Sequence, residues 1–233
     1  MRKEMLISVK NVGIRFKIRK SLFASDYIEA LRDVSFNIWR GESVGVIGRN
    51  GSGKTTLLRL LGGIIQPDSG KILNKNASTS LLALQVGFDP ELSGRINAVI
   101  CGMLLGFRKK EVEKNMEEII RFSELEEFID KPVKSYSSGM RARLGFAVAL
   151  KMSPDVLLID EVLGVGDAKF REKSMAVMKE KILSDQTIVF VSHIGAMVKR
   201  LCSRAVWIEN GVTWMEGDSA EVVDAYEKYL IDN

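Results

Sequence analysis

Apolar and polar residues alternate through MLISVKNVGIRFKI, starting at residue 5. That two-residue period is the mark of a half-buried strand. ALRDVSFNIW repeats the pattern, and the turn Arg40-Gly41-Glu42 leads into SVGVIG, apolar enough for a buried strand. The period then lengthens. TLLRLLGGI carries its apolar residues at helical spacing, QPDSG is a turn by composition, and TSLLALQVGF is a further strand candidate. From residue 96 to residue 127 the spacing is helical, through NAVICGMLLGF and KKEVEKNMEEIIRFSEL, until Lys131-Pro132 ends the run. This stretch reads as an inserted helical subdomain over about residues 90–150. RARLGFAVALKM is a further helix, and DVLLIDE is a continuous apolar run with acids at its end, the pattern of a buried parallel strand. EKSMAVMKEKIL is helical and TIVFVSH is another buried strand. AVWIENG and VTWMEG form a hairpin about Asn210-Gly211. SAEVVDAYEKYL is a final helix whose start, Ser219 followed by Glu, has a capping-box pattern. Strands alternating with helices predict an α/β fold with a largely parallel sheet, in one domain spanning residues 1–233.

Composition narrows the partners. With 233 residues, 46% hydrophobic and 27% charged, the chain can bury a core and stay in solution. The net charge is +4 and the sequence pI about 9.0. The basic runs RKEM, KIRK and FRKK are short and scattered, so they read as solvated faces or as neighbours of anionic headgroups; no nucleic-acid partner is expected. Cys101 and Cys202 stand in different segments with no metal-ligand spacing, and read as inert thiols of a reducing compartment. The N-terminus has no apolar core of signal-peptide length, and AVICGMLLGF is far short of the roughly 20 residues a membrane span needs. A cytosolic chain is expected, one that serves a membrane only through a partner.

The chemistry is concentrated at strand ends. GRNGSGKTT, residues 48 to 56, matches G-x-x-x-x-G-K-[ST] through Gly48, Gly53, Lys54 and Thr55. Glycines let backbone N–H groups approach phosphate oxygens, and a helix N-terminus adds its positive dipole end. Arg49, Asn50, Gly51, Ser52 and Thr56 complete the loop. Lys54 would reach the β- and γ-phosphates of ATP, and the Thr55 hydroxyl would ligate Mg²⁺. The alternative is a glycine-rich turn that merely joins strand to helix. In DVLLIDE, Asp160 sits at the C-terminal end of its strand, where ligands bind in open α/β sheets, and would hold Mg²⁺; Glu161 would act as general base on the attacking water. Adjacent acids can also simply end a strand. His193, the only histidine, closes TIVFVSH at the same sheet edge and is a candidate γ-phosphate contact, with a structural histidine as the alternative.

P-loop, the bare loop SYSSGM, the strand ending in Asp-Glu and the strand ending in His follow in that order over essentially the whole chain. Together they resemble the ATPase domain of ABC transporters. The resemblance implies a P-loop NTPase with an N-terminal antiparallel β subdomain and an inserted helical subdomain. It makes YSSGM, Tyr136 to Met140, the counterpart of the LSGGQ signature loop. Ser137, Ser138 and Gly139 would then bind the γ-phosphate of ATP held by the other protomer of a head-to-tail homodimer. Phe16 is placed as the residue stacking on adenine, with burial in the core as the alternative. Gln85 is placed as the glutamine that touches Mg²⁺ and senses the membrane partner, although its spacing to PELSG is one residue off. Asp167, ending VLGVGD, is placed as the aspartate that crosses the dimer.

ALRDVSFNIWRGESVGVIGRNGSGKTTLL, VGFDPELSGR, YSSGMRARLGFAVAL, IDEVLGVGDAKFREK and GDSAEVVDAYEKYL are similar to ATPase subunits of bacterial polysaccharide exporters. Those move O-antigen, capsule or teichoic acid chains. The implied protein is peripheral, on the cytoplasmic face of the inner membrane. It powers export of a lipid-linked polysaccharide through a separate integral membrane permease subunit, contacted by residues 84–103. Some members continue into a carbohydrate-binding domain; either this chain, ending at Asn233, is of the shorter kind or it is part of a longer one. Two other readings differ in class: a soluble ABC-type ATPase acting on ribosomes or DNA, and a nucleotide-binding module that does not hydrolyse. The first lacks the paired domains or long coiled coils of such relatives, and Glu161 and His193 argue against the second.

Overall fold

The computed structural model describes residues 4–19, 25–81, 87–152, 154–160 and 167–232. Gln85 and Glu161 lie outside the described residues. The chain divides into two compact units. One holds Met1–Ala77, Leu158–Glu161 and Ile182–Asn233, and the other Ser78–Leu157 and Val162–Lys181.

The first unit is built on a mixed sheet. β1 (Met5–Arg19) and β2 (Ser25–Trp39) form an antiparallel ribbon with Phe16 opposite Ile28, and β4 (Ser69–Asn74) adds to its outer edge. β3 (Ser43–Ile47) lies between β7 (Thr187–Val191) and β8 (Arg204–Glu209) and is parallel to both. β9 (Val212–Asp218) pairs antiparallel with β8. The order is β4-β1-β2-β9-β8-β3-β7, followed by β6 (Val156–Ile159), whose last two residues belong to this unit. The parallel strands are apolar along their centres because both faces are covered: Val44, Val46, Ile188 and Val206 are fully buried. One seam joins ribbon to parallel core. The Gly211 carbonyl accepts from the N–H groups of Arg32 and Asp33, and Arg32 donates through Nε to the Asn210 carbonyl at 2.8 Å. The Asn210-Gly211 turn, with φ of 49° and 76°, therefore makes the hairpin and the seam together.

β4 is absent from the sequence expectations because its residues are mostly exposed and show no alternation; backbone pairing with β1 is what forms it. α7 (Gly195–Leu201) is too short for a period to show. The last helix, α8 (Ser219–Asp232), corrects the capping expectation. Ala220 N donates to Asp218 Oδ1 at 2.9 Å, so Asp218 caps the helix and Ser219 is buried inside its first turn. An ion network closes the base of the sheet. Arg204 donates to Glu42 Oε1 at 2.7 Å and Oε2 at 3.3 Å, and also to Glu216 and the Asn37 carbonyl.

Among its described residues the second unit is helices and turns apart from β5 (Thr79–Leu81) and the start of β6, where Val156 N donates to the Ser78 carbonyl just before β5. The long helical run divides into α2 (Gly94–Leu104), α3 (Lys109–Lys114) and α4 (Met116–Ser123), followed by one 3-10 turn at Val133–Ser135. α5 (Ser138–Lys151) and α6 (Ala168–Leu183) complete it. Its core is a triangle of rings, Phe122, Phe146 and Phe170, with centroids 5.6 to 6.1 Å apart. Among the described residues no helix is long and apolar enough to cross a membrane.

Candidate functional site

β3 delivers the chain to residue 48 and α1 (Lys54–Leu61) carries it away, so the loop between them is held at both ends by buried elements. α1 is amphipathic and buries Leu57, Leu58, Leu60 and Leu61. The loop is pressed against the sheet. A Cβ on Gly48 would lie 2.1 Å from the Ile208 carbonyl oxygen. One on Gly53 would lie 2.4 Å from the Ala30 carbonyl, at a φ of 98° that side chains rarely adopt. The glycines of the motif thus have a steric cause in the fold, one against β8 and one against β2.

The loop also leaves donors unused. α1 begins on Gly53 with no side-chain cap and no acid in its first turn, whereas α2 and α5 each begin on a serine whose oxygen accepts a backbone N–H. An uncapped helix start presents N–H groups and the positive end of the dipole to an anion. Ser52 Oγ is buried without a hydrogen-bond partner among the described residues. Orphaned buried hydroxyls are uncommon; Ser80 and Ser174 Oγ are the others among the described residues. Lys54 is 8% exposed and donates from Nζ to the carbonyls of Gly48 at 2.8 Å and Arg49 at 2.9 Å, a staple across the loop.

A cleft of about 270 Å³ opens over this loop. Gly51, Gly53, Lys54, Thr55, Asp160 and Ile28 are among its lining residues. Thr55 Oγ1 donates to Asp160 Oδ2 at 3.1 Å, so two residues 105 positions apart converge as β6 ends beside α1. A hydroxyl and a carboxylate are hard oxygen donors, the type Mg²⁺ takes, and the pair fits that ion. Phe16 is 41% exposed and stands opposite Ile28, which lines the cleft; the core alternative for Phe16 is therefore excluded. Arg49, Asn50 and Gly51 are exposed, and Thr56 is half-buried. His193 is exposed two residues beyond β7, at a turn in which Ile194 N donates to Ser192 Oγ at 3.0 Å.

Residues 136–140 belong to the second unit. Ser137 is the N-cap of α5 and accepts from Met140 N at 3.1 Å. That uses one lone pair of the hydroxyl and leaves its proton to donate. Ser137 and Ser138 are exposed. A Cβ on Gly139 would meet nothing closer than Ser137 Oγ at 3.8 Å, so packing within the chain does not demand glycine there. Tyr136 is buried, and its hydroxyl donates to the Phe128 carbonyl at 2.7 Å. Burial, together with the charge of Asp130, pushes its pKa up to about 12, so it stays a donor at working pH. Asp167 is exposed and accepts from Phe170 N at 2.9 Å. This capping bond at the start of α6, with Arg143 nearby, holds its carboxyl below the usual range. Sequence reasoning missed that cap, although an Asp three residues before the buried Phe170 was a signal for it.

A family model described as ABC transporter matches residues 31–164. The O-antigen export system ATP-binding protein RfbB of Klebsiella pneumoniae is 47% identical over 201 residues, covering 86% of this chain and 82% of that protein. The teichoic acids export ATP-binding protein TagH of Shouchella clausii is 43% identical over 201 residues, 86% of this chain but 56% of that protein. Among solved structures, a dimeric ATP-binding cassette in a post-hydrolysis state with ADP and Pi superposes with a TM-score of 0.73 at 25% identity. It covers 92% of this chain and 99% of that one.

Proposed function

Since the chain belongs to the ABC transporter family and is its ATP-binding, ATP-hydrolysing subunit, we propose that it powers export of a lipid-linked polysaccharide through a separate membrane permease. The reading of the cargo rests on the O-antigen and teichoic acid relatives. The observation that carries the catalytic part is the cleft itself. An uncapped helix start, the Lys54 ammonium and the Thr55–Asp160 pair converge on one opening.

In this reading the backbone N–H groups of residues 51–55 cradle the phosphates, and Lys54 turns from its carbonyl staple toward the β- and γ-phosphates. Phosphoryl transfer needs positioning and charge stabilisation more than covalent chemistry. Thr55 and Asp160 would hold Mg²⁺, which when bound neutralises charge on the phosphates; Gln85 is proposed as a further contact. Glu161 takes a proton from the attacking water, and His193 donates to the γ-phosphate. Phe16 offers its exposed ring to the adenine. The remaining donors come from a second copy. Ser137, Ser138 and Gly139 of one protomer close on the γ-phosphate bound by its partner, and Asp167 crosses the same interface. A surface glycine that its own chain does not require is consistent with a ligand arriving from outside. The protein would work at the cytoplasmic face of the membrane, with its permease contacting residues 84–103.

Glu161→Gln tests this reading, because it keeps the shape of the side chain and removes the base. On a sizing column this variant should run as a monomer without ATP and as a dimer with it, while releasing no phosphate. Hydrolysis at the wild-type rate would remove Glu161 from the role of base. A monomer at saturating ATP would remove the two-ATP dimer.

A further inference from the structure

Two segments of the second unit are stitched into one body. Residues 90–95 lead into α2, and residues 128–136 lead into α5. Between them, Val133 N donates to the Leu92 carbonyl at 2.9 Å, Lys134 N to Pro90 at 2.8 Å, Gly94 N to Lys131 at 3.2 Å and Arg95 N to Ile129 at 2.9 Å. Ser93 and Pro132 form an isolated bridge, and Arg95 grips Asp130 with two bonds at 2.7 and 3.1 Å. The fully buried Asn97 ties residues 89–93 to the start of α2 through both amide atoms.

Tyr136 is where this body meets the signature loop. It is 4% exposed, and its hydroxyl ends the seam on the Phe128 carbonyl. Gly94 backs it so closely that a Cβ there would lie 2.2 Å from the hydroxyl oxygen. Ser137, the α5 cap, is the next residue. The loop's direction is therefore set one residue before its phosphate-binding donors begin.

We infer that Tyr136 is a positioning residue for ATP hydrolysis: its hydroxyl, held between Gly94 and the Phe128 carbonyl, aims residues 137–139 at the partner protomer's γ-phosphate. The inference rests on the proposed role of the signature loop. Tyr136 is buried, with its hydroxyl spent on the Phe128 carbonyl, so it is not itself one of the phosphate donors. It acts by holding the donors in the geometry that the transition state needs, where a misplacement of about 1 Å can cost on the order of 100-fold in rate. The cleft is lined by residues of the first unit, so the affinity for ADP, which lacks the γ-phosphate that the signature loop meets, does not depend on this hydroxyl.

The test is a cycle of Tyr136→Phe and Gly94→Ala in the full chain, read by steady-state phosphate release and by equilibrium titration with a fluorescent ADP analogue. Each single variant should lower kcat about ten-fold while ADP affinity stays within about two-fold of wild type. Phenylalanine lacks the atom that a Cβ at residue 94 strikes first. The double variant should therefore be no slower than Gly94→Ala alone. An unchanged kcat in Tyr136→Phe, additive losses in the double variant, or affinity falling in step with kcat would each overturn the inference; if Gly94→Ala does not fold, the Tyr136→Phe split decides alone. Ser138→Arg separates the two levels. If it leaves hydrolysis intact, the signature-loop reading itself fails. If it abolishes hydrolysis and Tyr136→Phe does not lower kcat, only the role of Tyr136 falls.

Discussion

Lys54→Ala is expected to lower ATP turnover by on the order of 10³-fold, since preorganised charge on a transferring phosphoryl group is the largest single contribution to its catalysis. Nucleotide affinity should fall by about ten-fold or more, the value of one charge-assisted hydrogen bond. The fold should survive. The four leucines that α1 buries hold the helix in place, and the lysine's own bonds to the Gly48 and Arg49 carbonyls are local to the loop. Lys54→Arg should not rescue turnover. The ammonium sits buried between two carbonyls, and a guanidinium brings a wider planar fork to the same place. Phosphate release and calorimetric ATP titration on the three proteins check this. Turnover within a few-fold of wild type in Lys54→Ala would contradict the assignment.

Arg204→Ala should have the largest effect on stability. Arg204 is the shared cation of Glu42 and Glu216, and Glu42 is 5% exposed, with Oε1 also accepting from Trp39 N at 2.7 Å. Removing the cation leaves a buried carboxylate uncompensated, a loss of about 3–5 kcal/mol in comparable cases. For a chain of this size that corresponds to a fall in Tm of roughly 6–20 °C. The pH dependence gives a second check. Burial already raises the Glu216 pKa, with Glu42 adding to the rise and Arg204 opposing it. Without Arg204 it rises further. A carboxylate raised in the fold costs nothing below its unfolded pKa and destabilises progressively as pH climbs through its folded value. The deficit of the variant should therefore be full at pH 7 and shrink as pH falls toward about 4, in melts across that range. A deficit independent of pH would mean that lost packing, not stranded charge, is the cause.

How much of this was legible depends on range. The P-loop could be read because its cause is local: a buried strand, glycines facing carbonyls and a leucine-rich helix follow one another along the chain. The Asn210-Gly211 hairpin and the buried strands β3, β6 and β7 were legible for the same reason. Elements that exist by pairing or capping were not. β4 is an exposed edge strand without pattern, and Asp218 and Asp167 are caps recognised only once the helix starts are fixed. The helical run of residues 96–127 gave the class of its elements but not their division, because Gly106, at φ 93°, and Asn115 interrupt an otherwise continuous period. The backbone bonds of the seam between residues 90–95 and 128–136 join segments far apart in sequence, and they leave no trace in side-chain identity. Within the candidate site, residue types were the ground of the expected chemistry. The Thr55–Asp160 contact, the orphaned Ser52 hydroxyl and the exposure of Phe16 required coordinates.

The central claim is that each catalytic site is shared, with the P-loop from one protomer and residues 137–139 from its partner. Lys54→Ala and Ser138→Arg chains, each inactive alone, test it when mixed in equal amounts with ATP and assayed for phosphate release. In a head-to-tail dimer, a mixed pair has one site with both parts intact, so the mixture should recover about a quarter of the wild-type rate. A mixture as inactive as its components would place both parts of the site on one chain and contradict the account.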